Sequence, residues 1–436
     1  MGNVYLTGRT ESTDFPTASP LLGSFSGGVS AFVFRVAAPA PDGRPFTVVD
    51  RGGTSITSSG SSATLTVGHA RVGLDGTAPS GVAIFGLRQN GVLVSEAGVP
   101  ASMPRNSGRI HADVSGAVNT GIAIANPNGQ VANISFLFTG ADGVNFGEGS
   151  FTLGADQQIA KFLNEAPFDE ASVEGAFTFV SDVPVAVVAL RGLTNERGEF
   201  LITTLPVADV GSTSTAPLFF PHFADGGGWT TQIVLVNPSD ATIGGTLEFF
   251  DQSGSPVDLG VEGEIGSSFD YAVSPRTSRR FLTSGSGPTI RVGAAKVSPS
   301  SGVAPSGLAV FSFRNNNTTV SESGVPALTP VTAFRMYAEA AGTFGAVGSI
   351  QTGVAVANPP STATTLLFEL SEFDGTSSGL TGTATVPGKR TGCAVPEADS
   401  GLRNPATSFR GCSQNLDRIG FGSVRRRSSR TLQRTR

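Results

Sequence analysis

Apolar residues along this chain come in short runs rich in Val, Thr, Ser and Phe, and Gly, Pro, Asn and Asp break the runs. Some runs alternate: Phe269, Tyr271 and Val273 would share one face of an extended segment. Outside the last fifty residues, no stretch of a dozen repeats with a helical period. The pattern predicts many short strands joined by turns, an all-β chain.

The runs recur. Residues 67–100, VGHARVGLDGTAPSGVAIFGLRQNGVLVSEAGVP, match residues 292–326, VGAAKVSPSSGVAPSGLAVFSFRNNNTTVSESGVP. TGIAIANPNG (120–129), TQIVLVNPSD (231–240) and TGVAVANPPS (352–361) also match, with their Asn-Pro pairs at Asn126, Asn237 and Asn358 spaced by 111 and 121 residues. Strands ending in Arg88, Arg191 and Arg314 are spaced by 103 and 123. A period of about 110 residues is the size of an immunoglobulin-like sandwich. Residues 213–330 show the inner plan, with strands at 232–236, 246–250, 268–273, 279–282, 290–297, 307–314 and 318–321. Asp142-Gly143, Asp374-Gly375 and Asp251 with Gly254 mark hairpin turns. The Asn-Pro pair ends the first predicted strand each time, proline lacking a ladder donor and asparagine able to bond the turn backbone. Each module is expected to close over its own phenylalanines.

The start is different. Residues 1–36 contain GNVYLTGRTESTDFPTASP and GGVSAFVFRV. They resemble the bacterial β-propeller (SBBP) repeat, G-x-x-Y-V-T-G…D-F-P-T…G-G-x-D-A-F-V, with Ser30 where the pattern has Asp. The resemblance implies one blade, which cannot close a propeller without neighbours, and so a remnant of a longer protein. The body resembles repeat modules of exported bacterial proteins that share chains with such propellers, which implies location rather than mechanism.

The expected fold is therefore all-β: tandem immunoglobulin-like β-sandwich modules preceded by a single β-propeller-blade remnant. The expected parts are 1–36, the blade remnant; 37–106, an incomplete module one; 107–212 and 213–330, modules two and three; 331–388, the first part of module four; and 389–436, a tail.

The tail alters the charge picture. From Lys389 it holds 11 basic and three acidic residues, net +8, whereas residues 1–388 hold 18 basic and 31 acidic, net −13. An acidic body is a poor nucleic-acid binder. The tail also departs from the repeat. Back-translated and shifted by one nucleotide, it permits R-G-A-R-F-L, then F-E-G-V-L-R-I-S-T, then A-L-R-x-R-Y-N-E-R-G, in the order module two demands. The expectation is a frameshift near Lys389, a disordered tail, accidental Cys393 and Cys412, and a module four without its last strands. The alternative is a genuine basic tail around Arg425-Arg426-Arg427 for nucleic acid or anionic lipid. No apolar run is long enough to span a membrane. Met1 to Thr10 is polar and lacks an apolar signal region. With the blade resemblance, the start reads as truncated and the location as extracellular or cell envelope.

Candidate chemistry is sparse. His69, His111 and His222 form no pair with metal spacing, and His69 aligns with Ala294. There is no G-x-S-x-G elbow, P-loop or dinucleotide fingerprint. Glu262 and Glu264 sit in a Gly-rich loop and read as solvated rather than as a glycosidase pair. The densest signal, PHFADGGGWTTQIVLVNP at 221–238, offers His222, Asp225 and Trp229 as a ligand or calcium site, or as a module entrance built on a tight turn. Asp142, Asn145 and Glu148 are the best sparse calcium cluster. With 30 Phe, one Trp and three Tyr (Tyr5, Tyr271, Tyr337), the aromatics suit cores more than a sugar platform. Asn133 and Asn317 fit the glycosylation pattern. No catalytic, cofactor or metal residue is assigned. The expected function is a non-enzymatic structural or adhesive array on a bacterial surface, its partner a surface polysaccharide or protein. The alternative is a glycan- or protein-binding module attached to an exported enzyme.

Overall fold

The computed structural model describes residues 4–10, 30–36, 45–58, 60, 65–73, 76–89, 91–343 and 346–394. Every regular element among them is a strand. Most of the tail from Lys389, with Cys412, lies outside the described residues. The chain divides into two compact units, Met1–Thr57 with Ser371–Thr376, and Ser58–Leu370 with Ser377–Arg436. In the first, β1 (Val4–Thr10) and β2 (Ser30–Val36) pair antiparallel. The rest of this subsection concerns the second.

Module three shows the complete frame. Its strands are β12 (Leu218–Asp225), β13 (Trp229–Val236), β14 (Ile243–Asp251), a small hairpin of β15 (Leu259–Val261) and β16 (Glu264–Gly266), β17 (Ser268–Val273), β18 (Ser278–Leu282), β19 (Arg291–Ser301), β20 (Ser306–Asn315) and β21 (Thr318–Pro326). They form two four-stranded sheets, β12-β19-β14-β17 and β18-β13-β20-β21. Phe223, Leu247, Phe249, Phe269 and Tyr271 of the first meet Ile233, Leu235, Phe281 and Ala309 of the second in one core. The strand order departs from the immunoglobulin one. There the second strand lies between the first and the fifth; here the second, β13, lies between β18 and β20.

Module two repeats this frame with β5 (Arg105–Ser115), β6 (Val118–Ala125), β7 (Ala132–Gly140), β8 (Asn145–Leu153), β9 (Gln158–Phe162), β10 (Val173–Thr194) and β11 (Phe200–Leu205). One strand, β10, does the work of both β19 and β20. Residues Val173–Val180 pair with β5 and β7, and Ala186–Leu193 pair with β6 and β11. A straight β10 would separate its pairings with Val114 and Val118 by about 66 Å at ~3.3 Å per residue. The chain from Val114 to Val118 spans at most about 14 Å. β10 must therefore fold over, and the ladder shifts register between Val180 and Val185. Pro184 lies in that gap, where no ladder donor is needed, and a strand that turns there can serve both sheets.

Module one contributes a hairpin, β3 (Val82–Gln89) and β4 (Val92–Pro100). Module four supplies β22 (Ala340–Ala341) with β23 (Ile350–Gln351), β24 (Val354–Asn358) with β27 (Arg390–Ala394), and β25 (Thr364–Ser371) with β26 (Ser377–Val386). β27 begins inside the tail and holds its place by backbone pairing with β24.

Modules two and three each bury their own phenylalanines, but the expectation that a module closes on itself needs correction. Val234, Val236, Leu308 and Val310 of module three belong to the core of module two, while their neighbours Ile233, Leu235 and Ala309 belong to module three. Side chains alternate across a strand, so β13 and β20 are buried on both faces. Equivalent strands carry the stack onward: β4 lies along β11, β11 along β21, and β12 along β24.

Candidate functional site

The sequence-predicted candidates do not converge. In the 221–229 segment, Gly226, Gly227 and Gly228 all take positive φ, at 86°, 60° and 93°. A Cβ would strike the backbone of Thr289 at Gly226 and of Arg314 at Gly228, so the tight turn requires glycine at both. The fully buried Asp225 carboxylate accepts from Gly285 N–H at 2.8 Å and pairs with Arg291 at 3.2 Å. Trp229 stacks on Phe313 with ring centroids 4.8 Å apart. His222 lies against the Phe311 ring, and burial pushes its pKa down to about 4. Each side chain fastens a different neighbour, and the segment is a module entrance.

The other candidates have similar local duties. Asp142 accepts from Val144 N–H at 3.0 Å in its turn, and Asn145 Oδ1 accepts from Arg276 Nε at 3.3 Å, an oxygen already facing a cation. Glu148 and His69 are exposed. Glu262, in the β15–β16 turn, lies 3.8 Å from Arg279, which covers the Phe281 ring. Tyr271 is buried with its pKa raised to about 12 by desolvation, so it presents no stacking face. Among the described residues no group of three or more His, Cys, Asp or Glu could hold a metal ion, and no helix is long and apolar enough to cross a membrane.

The Asn-Pro asparagines are staples. Asn237 Nδ2 donates to the carbonyls of Ala241, Val273 and Ser274 at 2.8, 3.1 and 2.8 Å. Asn126 serves Gln130, Leu153 and Gly154, and Asn358 serves Thr362, Val386 and Pro387 in the same way. A second staple sits six residues earlier each time. Thr120, Thr231 and Thr352 each accept from and donate to the backbone of one residue, Asp113, Ala224 and Glu339. That threonine is visible in the three matching sequences and was not singled out.

No protein-family model matches the chain, and no curated protein matches it.

A buried polar constellation lies where module two meets module three. Arg109 donates to Thr178 Oγ1 at 2.8 Å and to the Asn237 carbonyl at 2.6 Å; burial lowers its pKa to about 10. Asp113 faces Arg280 at 3.6 Å and Arg191 at 3.8 Å. Arg191 reaches on to Glu322 at 3.4 Å, and Arg280 to Glu174 at 3.0 Å. The buried His111 Nδ1 lies 2.8 Å from Ser278 Oγ, whose own proton goes to the Gly175 carbonyl. A hydroxyl has one proton, so His111 Nδ1 donates and Nε2 carries the lone pair. That Nε2 is buried without a partner, and desolvation pushes the ring's pKa down to about 4. Apart from that nitrogen, the cluster's charged groups face one another across the boundary, and its chemistry is adhesion between modules. Arg109 and Asp113 escaped the sequence reading, and Arg191 entered it only as a repeat anchor, although charges inside apolar strands demand buried partners.

Proposed function

We propose that the chain is a non-enzymatic structural protein, a tandem array of β-sandwich modules that spaces or presents other domains on a bacterial surface. The observation that carries this reading is the junction itself. Among the described residues, five buried titratable groups (Arg109, His111, Asp113, Arg191 and Glu322) lie at this junction and reach across it rather than lining an open cavity, while Asp225 and Tyr271 are buried within module three. A buried charge is costly unless paired, and placing several at a junction suits a part that must hold its neighbours in fixed register. The blade-like start supports an exported context, and a surface polysaccharide or protein is the partner class. A glycan array probed with the full chain, alongside turnover assays on polysaccharide, peptide and ester substrates, tests this. Absence of turnover fits the reading. Turnover lost on removing a single side chain would overturn it, and specific glycan binding would favour a recognition module.

A further inference from the structure

A joint between two turns recurs along the chain. On one side is a hairpin turn. In module two, between β7 and β8, Gly140 N–H donates to Val144 O at 3.0 Å and Gly143 N–H to Gly140 O at 2.9 Å. The turn that ends β14 repeats both bonds with Asp251, Gly254 and Ser255, and the β25–β26 turn repeats them with Glu372, Gly375 and Thr376. The three glycines share one backbone state, with φ of 82°, 79° and 80°.

The other side is a repeat too. YAVSPRT (271–277) in module three, ATVPGKR (384–390) leading into β27, and FTVVDRG (46–52) in module one align. Each bends at a left-handed residue, Arg276, Lys389 or Arg51, with φ of 58°, 58° and 61°. The two sides meet in order. A Cβ on Gly143 would lie 3.1 Å from that of Ser274, and Arg276 Nε donates to Asn145 Oδ1 at 3.3 Å. A Cβ on Gly254 would strike the Lys389 carbonyl, and one on Gly375 the Asp50 carbonyl. Such close backbone approach is open to glycine alone. At the third joint Gly53 N–H also donates to Phe373 O at 3.1 Å.

The first two joints step forward, from module two to module three and from module three to module four. The third runs from module four to module one, and both its sides lie in the first compact unit. We propose that the 49–53 turn of module one is a docking site for the β25–β26 turn of module four of the same chain, so that module one receives module four as module three receives module two. The occupant is this chain's own turn. It carries the same bonds and the same glycine as the turns that fill the other two joints, and it meets its site at an effective concentration that no second copy reaches in dilute solution. The inference does not rest on the surface-protein reading.

Cross-linking of the full chain, with Cys393 and Cys412 replaced by Ser, tests it. Gly53→Cys with Phe373→Cys should be joined by a short bis-maleimide within one molecule, at a yield that dilution does not change. Asn145→Cys with Arg276→Cys, across the joint between modules two and three, should link to a similar extent. Gly53→Cys with Asp142→Cys, taken from different joints, should not link. Gly53–Phe373 links that form between molecules and rise with concentration overturn the proposal, as does a yield no higher than that of the mismatched pair. Hydrogen exchange gives a second readout that needs no cysteine. Phe373 is half-exposed, so Phe373→Asp leaves the folded core in place. It should speed exchange of the Gly53 amide by at least about tenfold and leave residues 274–277 unchanged. An unchanged rate at Gly53 equally overturns the proposal.

Discussion

At the scale of single residues, the repeat is held by side chains that spend their hydrogen bonds on backbone. Asn237 is fully buried, and both its amide protons face carbonyls of two separate turns. Its replacement by Ala should cost about 2–4 kcal/mol, because buried carbonyls lose their donor as well as the bonds themselves. Asn237→Asp should cost more, since a carboxylate offers those carbonyls no proton. Urea denaturation of the two variants checks both the size and the order. His111 adds a pH dependence. Its pKa in the fold, about 4, lies below the ordinary 6.5, chiefly through desolvation. The unfolded chain therefore takes up the proton first as pH falls. Stability from this group is full above pH 6.5 and drains away towards pH 4, by up to about 3 kcal/mol. His222 is shifted the same way by burial. The urea midpoint of wild type should fall across this window, and His111→Gln should flatten the fall without abolishing it. An unchanged slope in that variant would remove His111 as the cause.

At the scale of elements, what matters is which faces of a strand are covered. The alternation in β17 was legible, and Phe269, Tyr271 and Val273 are buried with polar residues between them. The unbroken run Ile233–Val236 in β13 held a further message. A strand apolar at every position has two faces to bury, and β13 buries one in each module. β12 went unpredicted because Pro221 interrupts it; the ladder shifts register between Phe220 and Phe223 to pass the proline. Residues 65–73 show the limit of sequence reading. VGHARV and VGAAKV are near-copies, yet only the second is a strand, because its neighbours β12 and β14 are present to pair it. The junction charges sharpen the same point energetically. Asp113 is buried between two guanidinium groups from different modules. Asp113→Ala should cost about 3 kcal/mol, since it removes the one carboxylate between the Arg191 and Arg280 guanidiniums and leaves the buried Arg191 with Glu322 alone. Lys161→Ala, which breaks the exposed Lys161–Glu165 pair, should cost below about 0.5 kcal/mol. Chemical denaturation of the two variants gives the contrast; similar losses would mean the junction pair is no more consequential than a surface one.

At the scale of the whole molecule, shared strands turn neighbouring modules into one cooperative body. Unfolding module three alone would strip Val234, Val236, Leu308 and Val310 from the core of module two. It would also leave Arg109, His111 and Asp113 without Asn237, Ser278 and Arg280. Neither module can melt without exposing apolar surface and unpaired polar groups in the other, so partial unfolding is disfavoured twice over. Residues 107–326 should therefore unfold in one transition. At about 0.7 kcal/mol per residue, that body carries an unfolding enthalpy of about 150 kcal/mol near 60 °C, against about 75 for a single module. Calorimetry of the full chain reads the difference directly, because the van't Hoff enthalpy measures the size of the unit that melts together. A value near 150 establishes the coupled pair, and Asp113→Ala should move it towards the single-module figure. Two transitions near 75 in the wild type would mean that the junction, for all its buried polar contacts, does not join the modules into one folding unit.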